Sequence, residues 1–249
     1  MTKKSYEEMM KIVEENMTDE LIDEVIEEMG LDKTKGKIKD EYEVREIDSS
    51  EAKEMIMNKH YAQRRPSISY AFGLFKEDEL VGICTFGKPA SNSLCVGICG
   101  EEYSKYVYEL NRLFLEENKK NLASFFISKC LKQLKSERLI IVSYSDTGMN
   151  HNGYIYQASN FVYTGQTKER TDKFTEGNKH SRHYDDNNQH LRKVRTSKHR
   201  YVYFTDRRMM KYLNYPILPY PKAENKNYTV GERQKTMVIN KETGEKFFY

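Results

Sequence analysis

A single run of the chain, Leu139 to Gly165, collects the side chains best suited to chemistry. Leu139-Ile140-Ile141-Val142 has the continuous apolar character of a buried strand, and it turns polar through Ser143-Tyr144-Ser145-Asp146. Thr147-Gly148-Met149-Asn150 then reads as a loop, His151 to Ala158 as a short helix and Phe161-Val162-Tyr163 as another strand. A carboxylate where a buried strand meets a glycine-containing loop lies at the carboxyl edge of a sheet, which is where open α/β folds place their chemistry. What an aspartate contributes there is proton transfer, or an acceptor that fixes a donor group. The stretch is read as an active-site edge.

The elements that must hold this edge are legible on either side of it. Glu43 to Ile47 alternates as a strand, and Asp48-Ser49-Ser50-Glu51 caps a helix running to about His60. Tyr70 to Phe75 and Leu80 to Phe86 are strands joined by the turn Lys76-Glu77-Asp78-Glu79, which makes a hairpin. Tyr106 to Phe114 is a further strand and Leu122 to Leu134 a helix with an apolar face. Residues 41–168 therefore follow the order β-α-β-β-β-α-β-α-β and are read as the core. Residues 1–40 are read as an accessory segment, because the apolar positions from Met9 to Met29 have helical spacing with a break near Thr18-Asp19. Residues 169–249 are read as an extension with a strand-like Tyr201 to Phe204, a helix from Asp206 to Tyr212 and a terminal hairpin of Thr236–Asn240 with Glu245–Tyr249.

Charge divides the chain in the same way. Residues 1–48 hold sixteen Asp/Glu against eight Lys/Arg, whereas residues 170–211 hold twelve Lys/Arg against five Asp/Glu and four of the six histidines. A basic segment that also carries Tyr184, Tyr201, Tyr203 and Phe204 suits a polyanion, with cations for phosphates and aromatic rings for unpaired bases. Its plain alternative is a solvated charged surface. No apolar stretch reaches the roughly 18 residues of a membrane span. The N-terminus turns acidic where a signal peptide would turn apolar, so a cytoplasmic protein is expected. Cys84, Cys95, Cys99 and Cys130 sit among apolar or small residues and are expected to be buried thiols.

Several motifs converge on one family. They are His60-Tyr61, the hairpin Tyr70 to Thr85 with Phe86-Gly87-Lys88-Pro89-Ala90 after it, Glu109-Leu110-Asn111-Arg112-Leu113, and Asn121-Leu122-Ala123-Ser124-Phe125. To these are added Ser143-Tyr144-Ser145-Asp146 and Gly148-Met149-Asn150-His151-Asn152-Gly153-Tyr154-Ile155-Tyr156-Gln157-Ala158. Together they resemble the Mom family of phage DNA adenine-modification enzymes over about residues 42–168, and weakly to about Pro221. The resemblance implies an α/β (α+β) fold of the GNAT acyltransferase type, a mixed central sheet flanked by helices. It also implies an activity that converts adenines in DNA to a carbamoylmethyl form, shielding phage DNA in the bacterial cytoplasm from restriction. The partner would be double-stranded DNA with a flipped adenine. Iron participation is suspected for the family, but the chain offers no clear ligand set for it.

The residues can be weighed against that reaction. The N6 amine of adenine is a poor nucleophile, because its lone pair is delocalised, and the base must first leave the stack. Asp146 is the candidate general base or amine-orienting acceptor, against the alternative of a turn-capping aspartate. Tyr156 is the candidate proton donor or wall for the flipped base, against a half-buried structural tyrosine. Arg112 would face a phosphate, carboxylate or donor carbonyl, and Ser124 would favour an anion at a helix start; an ion pair and a helix cap are the alternatives. His60, Tyr61, Asn111 and His151 are candidates for lining the substrate cleft. Arg192, Lys193, Arg195, Lys198 and Arg200 are the candidate DNA contacts.

The donor is left open, as acetyl-coenzyme A or another acyl or glycyl donor. The glycine-bearing pyrophosphate loop of ordinary GNAT enzymes is replaced by Glu117-Asn118-Lys119-Lys120-Asn121-Leu122-Ala123-Ser124, where backbone approach is less free. Two other functions stay open at this point: a GNAT acyltransferase acting on a small amine or protein, and a non-catalytic DNA-binding protein.

Overall fold

The structure, a computed structural model, describes residues 34–59, 66–176, 186–222 and 237–249. The acidic helices expected between residues 5 and 29 lie outside the described residues, as do His60 and Tyr61.

The described chain begins with helix α1 (Thr34–Glu41), strand β1 (Glu43–Glu46) and helix α2 (Ser49–Lys59). The hairpin of β2 (Tyr70–Lys76) and β3 (Glu79–Gly87) follows. Its two connecting residues, Glu77 and Asp78, both have positive φ, 48° and 66°, as a tight two-residue hairpin turn requires. Helix α3 (Asn92–Ser104), strand β4 (Val107–Leu115), helix α4 (Leu122–Gln133), strand β5 (Ile140–Asp146), helix α5 (Tyr154–Ala158) and strand β6 (Val162–Gln166) complete the run read as the core. Beyond it lie β7 (Arg170–Lys173), β8 (Leu191–Arg195), β9 (Lys198–Phe204), a 3-10 turn at Arg207–Tyr212, β10 (Met237–Asn240) and β11 (Lys246–Phe248).

Seven strands form the main sheet in the order β1-β2-β3-β4-β5-β9-β6. All its neighbours are antiparallel except β4 and β5, which are parallel. A mixed sheet flanked by helices, with one parallel pair at its centre, is the GNAT-like arrangement. The sheet also draws on the basic extension: β9 lies beyond residue 168 yet is inserted between β5 and β6. Helix α3 is a second departure from the expected order, standing between β3 and β4 where the sequence reading had no element. The expected helix at Asp206–Tyr212 is a 3-10 turn capped by the Asp206 side chain.

Both faces of the main sheet are covered, which explains why β2 and β3 read as unbroken apolar runs. One face carries Phe72, Leu74, Cys84, Phe86, Leu110, Ile141 and Tyr201 against Phe126, Ile127 and Cys130 of α4 and Tyr156 of α5. Val107, Ile140, Val142, Val202 and Phe204 make the opposite face with Cys95, Ile98 and Cys99 of α3. All four cysteines are buried and free. The terminal hairpin forms as expected from β10 and β11, and it joins β8 and β7 in a second sheet of order β11-β10-β8-β7.

Candidate active site at the parting of β4 and β5

The parallel pair at the centre of the main sheet does not run its full length. Val107, Tyr108 and Glu109 pair with Ile140, Ile141 and Val142, and there the ladder stops. Beyond that point β4 continues against β3 alone and β5 against β9 alone. The cause is local. Arg112 faces Thr85 and Leu110 faces Phe86, so Asn111 is the extra residue of a β-bulge that bends β4 away. Asn111 is fully engaged in holding that bend: its Oδ1 accepts from Thr85 Oγ1 at 2.7 Å and its Nδ2 donates to Ser67 O at 2.8 Å. Gly87 lies against the same segment, where a Cβ would stand 1.8 Å from Ser67 O. Across the widening gap, Ser143 Oγ donates to Leu110 O at 3.1 Å. A wedge therefore opens in the middle of the sheet, at the carboxyl end of β5.

Strand alternation sorts the side chains around the wedge. Val142 and Val202 are paired and belong to the α3 face, so Tyr144 with Arg200 and Asp146 with Lys198 belong to it as well. Glu109 shares that face with Val107. Its carboxyl is largely desolvated, and this raises its pKa above the ordinary value of 4.5 against the opposing pull of Arg112 and Lys198. Asp146 is held differently. Its Oδ1 accepts from Gly148 N at 2.9 Å and from Thr196 Oγ1 at 2.5 Å, and its Oδ2 lies 3.7 Å from Lys198 Nζ. Lys198 thus acts on both carboxylates. Burial also raises the Tyr144 hydroxyl well above its ordinary value, with Arg200 opposing and Glu109 reinforcing the shift. The wedge therefore combines one oriented carboxylate, one desolvated carboxylate and two cations, which is the material for directing and moving a proton.

Of the expected site residues, Asp146, Arg112 and Lys198 are brought together here, and Asn111 shapes the wedge from its rim. Tyr156 is on the other face, 8% exposed, with ring centroids 5.5 Å from Phe161 and 5.4 Å from Tyr201. It is a core residue on the inner side of α5, on the opposite face of the sheet from Asp146. Ser124 donates to Asn121 O at 3.0 Å within the first turn of α4, and so closes its own helix end. His151 closes the loop after β5, its backbone N–H donating to Asp146 O at 3.2 Å.

Arg200 turns into the protein. It is 9% exposed, donates through Nε and a terminal nitrogen to Thr164 at 2.8 and 2.9 Å, and lies 3.3 Å from the centre of the Tyr215 ring. Arg192, Lys193 and Arg195 stand on β8 in the second sheet, and Arg195 is paired with Asp172 at 2.8 Å. Among the described residues no three His, Cys, Asp or Glu side chains converge, so they offer no iron site.

Sequence reasoning missed Glu109 as a site residue. The signal was available, since alternation in Val107-Tyr108-Glu109-Leu110 puts the carboxylate on the same covered face as Val107. Tyr144 and the inward course of Arg200 were hidden for another reason: they depend on β9 joining the sheet.

The fold resembles solved acetyltransferases at low sequence identity. An N-acetyltransferase from Staphylococcus aureus Mu50 is 14% identical, with TM-score 0.41 over 66% of this chain and 99% of that one. The protein yncA from Salmonella typhimurium, solved with acetyl-CoA, is 9% identical, with TM-score 0.42 over 66% of this chain and 94% of that one. The methylcarbamoylase mom of Escherichia phage Mu is 25% identical over 192 residues, which is 69% of this chain and 80% of that protein. No helix of the described residues is long and apolar enough to cross a membrane. The Mom protein family model matches residues 41–222, spanning the wedge and both of its carboxylates, and the chain belongs to the Mom family.

Proposed function

We propose that the protein is a DNA-modifying transferase that places a small amide-bearing group on the N6 amine of adenine, protecting the DNA that carries it from restriction. The observation supporting this most is the pair of unlike carboxylates at the wedge of a Mom-family chain, both acted on by Lys198. Adenine N6 must lose a proton as it forms its new bond to carbon. The base must also reach the wedge unstacked, flipped from a duplex. Asp146, with Oδ1 already fixed by Gly148 and Thr196, presents Oδ2 as the acceptor that orients N6–H. Glu109 takes the proton, its pKa raised by desolvation. The donor's leaving group departs with the bonding electron pair and is protonated in turn.

The donor in this reading is an acyl-class carrier whose transferred group already holds the amide nitrogen, which the acetyl group of acetyl-coenzyme A lacks. Its carbonyl would lie between β4 and β5, where the strands no longer bond to each other. The phage Mu relative is named for a methylcarbamoyl group, an isomer of the carbamoylmethyl group expected from the resemblance. A methylcarbamoyl group joins N6 through a carbonyl carbon and so corresponds to acyl transfer. The isomers share one mass, and fragmentation separates them, because the first sheds methyl isocyanate and leaves adenine.

Asp146→Asn tests the orienting role. The variant keeps an acceptor at Oδ1 but turns an amide towards Lys198. Nucleoside analysis of cellular DNA is expected to find modification reduced by roughly 10²-fold or more, with fold and DNA affinity retained. Undiminished modification would remove Asp146 from the mechanism.

A further inference from the structure

A tyrosine stands between the two carboxylates of the wedge. Glu109 is level with Val142 of β5, and the next side chains of β5 on the α3 face are Tyr144 and then Asp146. Residues two apart on a strand are separated by about 6.7 Å, so Tyr144 is one such step past Glu109 and one short of Asp146. It is also the first residue of β5 on this face without a paired neighbour on β4, because the sheet has already parted there. On its other side it pairs with Arg200 of β9, whose guanidinium is committed to Thr164 and the Tyr215 ring.

The fold fixes the ring of Tyr144 and leaves its hydroxyl for another partner. The ring packs against the cluster that includes Cys95, Val142 and Val202. The hydroxyl takes part in no hydrogen bond among the described residues, while the charges of Arg200 and Glu109 both act on it. Its polar neighbours along β5 are already engaged, Ser143 Oγ with Leu110 O and Asp146 Oδ1 with Gly148 and Thr196. Burial raises its pKa, so the group keeps its proton at neutral pH and is a hydrogen-bond donor.

The proposed reaction creates an acceptor at this point. As the N6 lone pair forms its bond to the carbonyl carbon of the transferred group, the C=O π pair moves onto oxygen. The pair returns as the bond to the leaving group breaks, the leaving group keeps that bond's electrons, and the N6 proton passes to Glu109. A donor already in place for the transient oxyanion, in a site with little water, lowers the barrier without any reorganisation.

We propose that Tyr144 is a catalytic residue whose hydroxyl donates a hydrogen bond to the carbonyl oxygen of the transferred group as that oxygen becomes negative. Tyr144 keeps its own proton throughout. This rests on the DNA-modifying reading above and adds the group that would make the reaction an acyl transfer. A carbamoylmethyl group would instead be joined by attack on a CH2 carbon, where the oxygen gains little charge and Tyr144 would have nothing to stabilise.

The test follows the accumulation of modified deoxyadenosine in the DNA of cells expressing the full chain, Tyr144→Phe or Tyr106→Phe at equal soluble level. Tyr106 packs against the same apolar cluster and serves as the control. Tyr144→Phe is expected to slow modification by roughly 10²-fold or more. Its unfolding midpoint and its affinity for duplex DNA should match those of the parent, because the lost hydroxyl bonds nothing within the described fold. Tyr106→Phe should modify DNA at the parent rate. Fragmentation of the parent's product is a second readout, independent of how any variant folds, and is expected to show a group joined through its carbonyl carbon.

A parent rate from Tyr144→Phe would overturn the role of the hydroxyl and leave the DNA-modifying reading standing. A slowed variant with a lowered unfolding midpoint would make Tyr144 a structural residue, and a product joined through CH2 would overturn the oxyanion role. Unmodified adenine from the well-expressed parent would defeat the DNA-modifying reading and this role with it.

Discussion

Glu109→Gln is expected to abolish most of the activity while making the protein more stable at neutral pH. The carboxylate stands at the last paired position of β4 before the wedge, on the covered α3 face, where desolvation raises its pKa. In the proposed reaction, with Glu109 as the proton acceptor, it would contribute on the order of 10²–10⁴ in rate, which the amide cannot supply. The stability effect has the opposite sign. A carboxyl whose folded pKa lies above its unfolded value favours the folded state fully below about 4.5 and loses that contribution as pH rises through the folded value. Above that pH the charged group is buried at a cost that glutamine does not incur. Thermal unfolding of the two proteins should therefore coincide at pH 4 to 4.5. It should separate in favour of Glu109→Gln as the pH approaches 7, while parent activity rises over the same range. A variant that is inactive and also less stable at neutral pH would mark Glu109 as a structural residue instead.

Gly153→Ala should show the largest loss of stability among single methyl additions near the site. Gly153 precedes α5 with φ +71°, a region that costs a residue with a Cβ about 1–2 kcal/mol. The added carbon would lie 2.3 Å from Tyr201 Cε2, 2.7 Å from its Cζ and 2.9 Å from Ser145 Oγ. Tyr201 has nowhere to go: it is fully buried, its ring packs tilted against those of Tyr156 and Tyr163 with centroids 5.4 and 5.3 Å away, and its hydroxyl donates to Asn152 O. Strain and overpacking together set the expected loss at about 2–5 kcal/mol by denaturant unfolding. A loss below about 1 kcal/mol would mean that α5 can lift off the sheet. The glycine in the His151-Asn152-Gly153 motif is therefore explained by the close approach of a strand to a helix start.

Elements governed by local periodicity were readable from the chain. The β2–β3 hairpin turns where the charged tetrapeptide falls, α4 begins at Leu122 as expected, and β5 ends on Asp146. The misses have two physical causes, a break in local periodicity and side chains whose surroundings contradict their type. Helix α3 carries Gly97 and Gly100 and is kinked at Cys99 and Gly100, so it reads as loop although Cys95, Ile98 and Cys99 pack inward. Strand β9 opens with Lys198-His199-Arg200, yet His199 and Arg200 are buried. Tyr163 meets the His199 ring at 2.9 Å, and Thr164 with Tyr215 surrounds the Arg200 guanidinium. Such partners come from β6 and the proline-rich stretch near Pro216, and no local pattern in β9 announces them. Glu109 belongs to the same class, a charge that becomes interesting only once both faces of its strand are known to be covered. Asp146 was legible because it ends a strand, where a carboxylate needs no distant partner to be noticed.

The most direct test of the central claim is mass spectrometry of nucleosides from the DNA of cells expressing the full chain, beside cells expressing Glu109→Gln at equal level. Cells expressing the parent protein are expected to yield a deoxyadenosine of increased mass, nearly absent with the folded variant. Unmodified deoxyadenosine from well-expressed parent protein, or the same modified nucleoside at equal yield from Glu109→Gln, would contradict it.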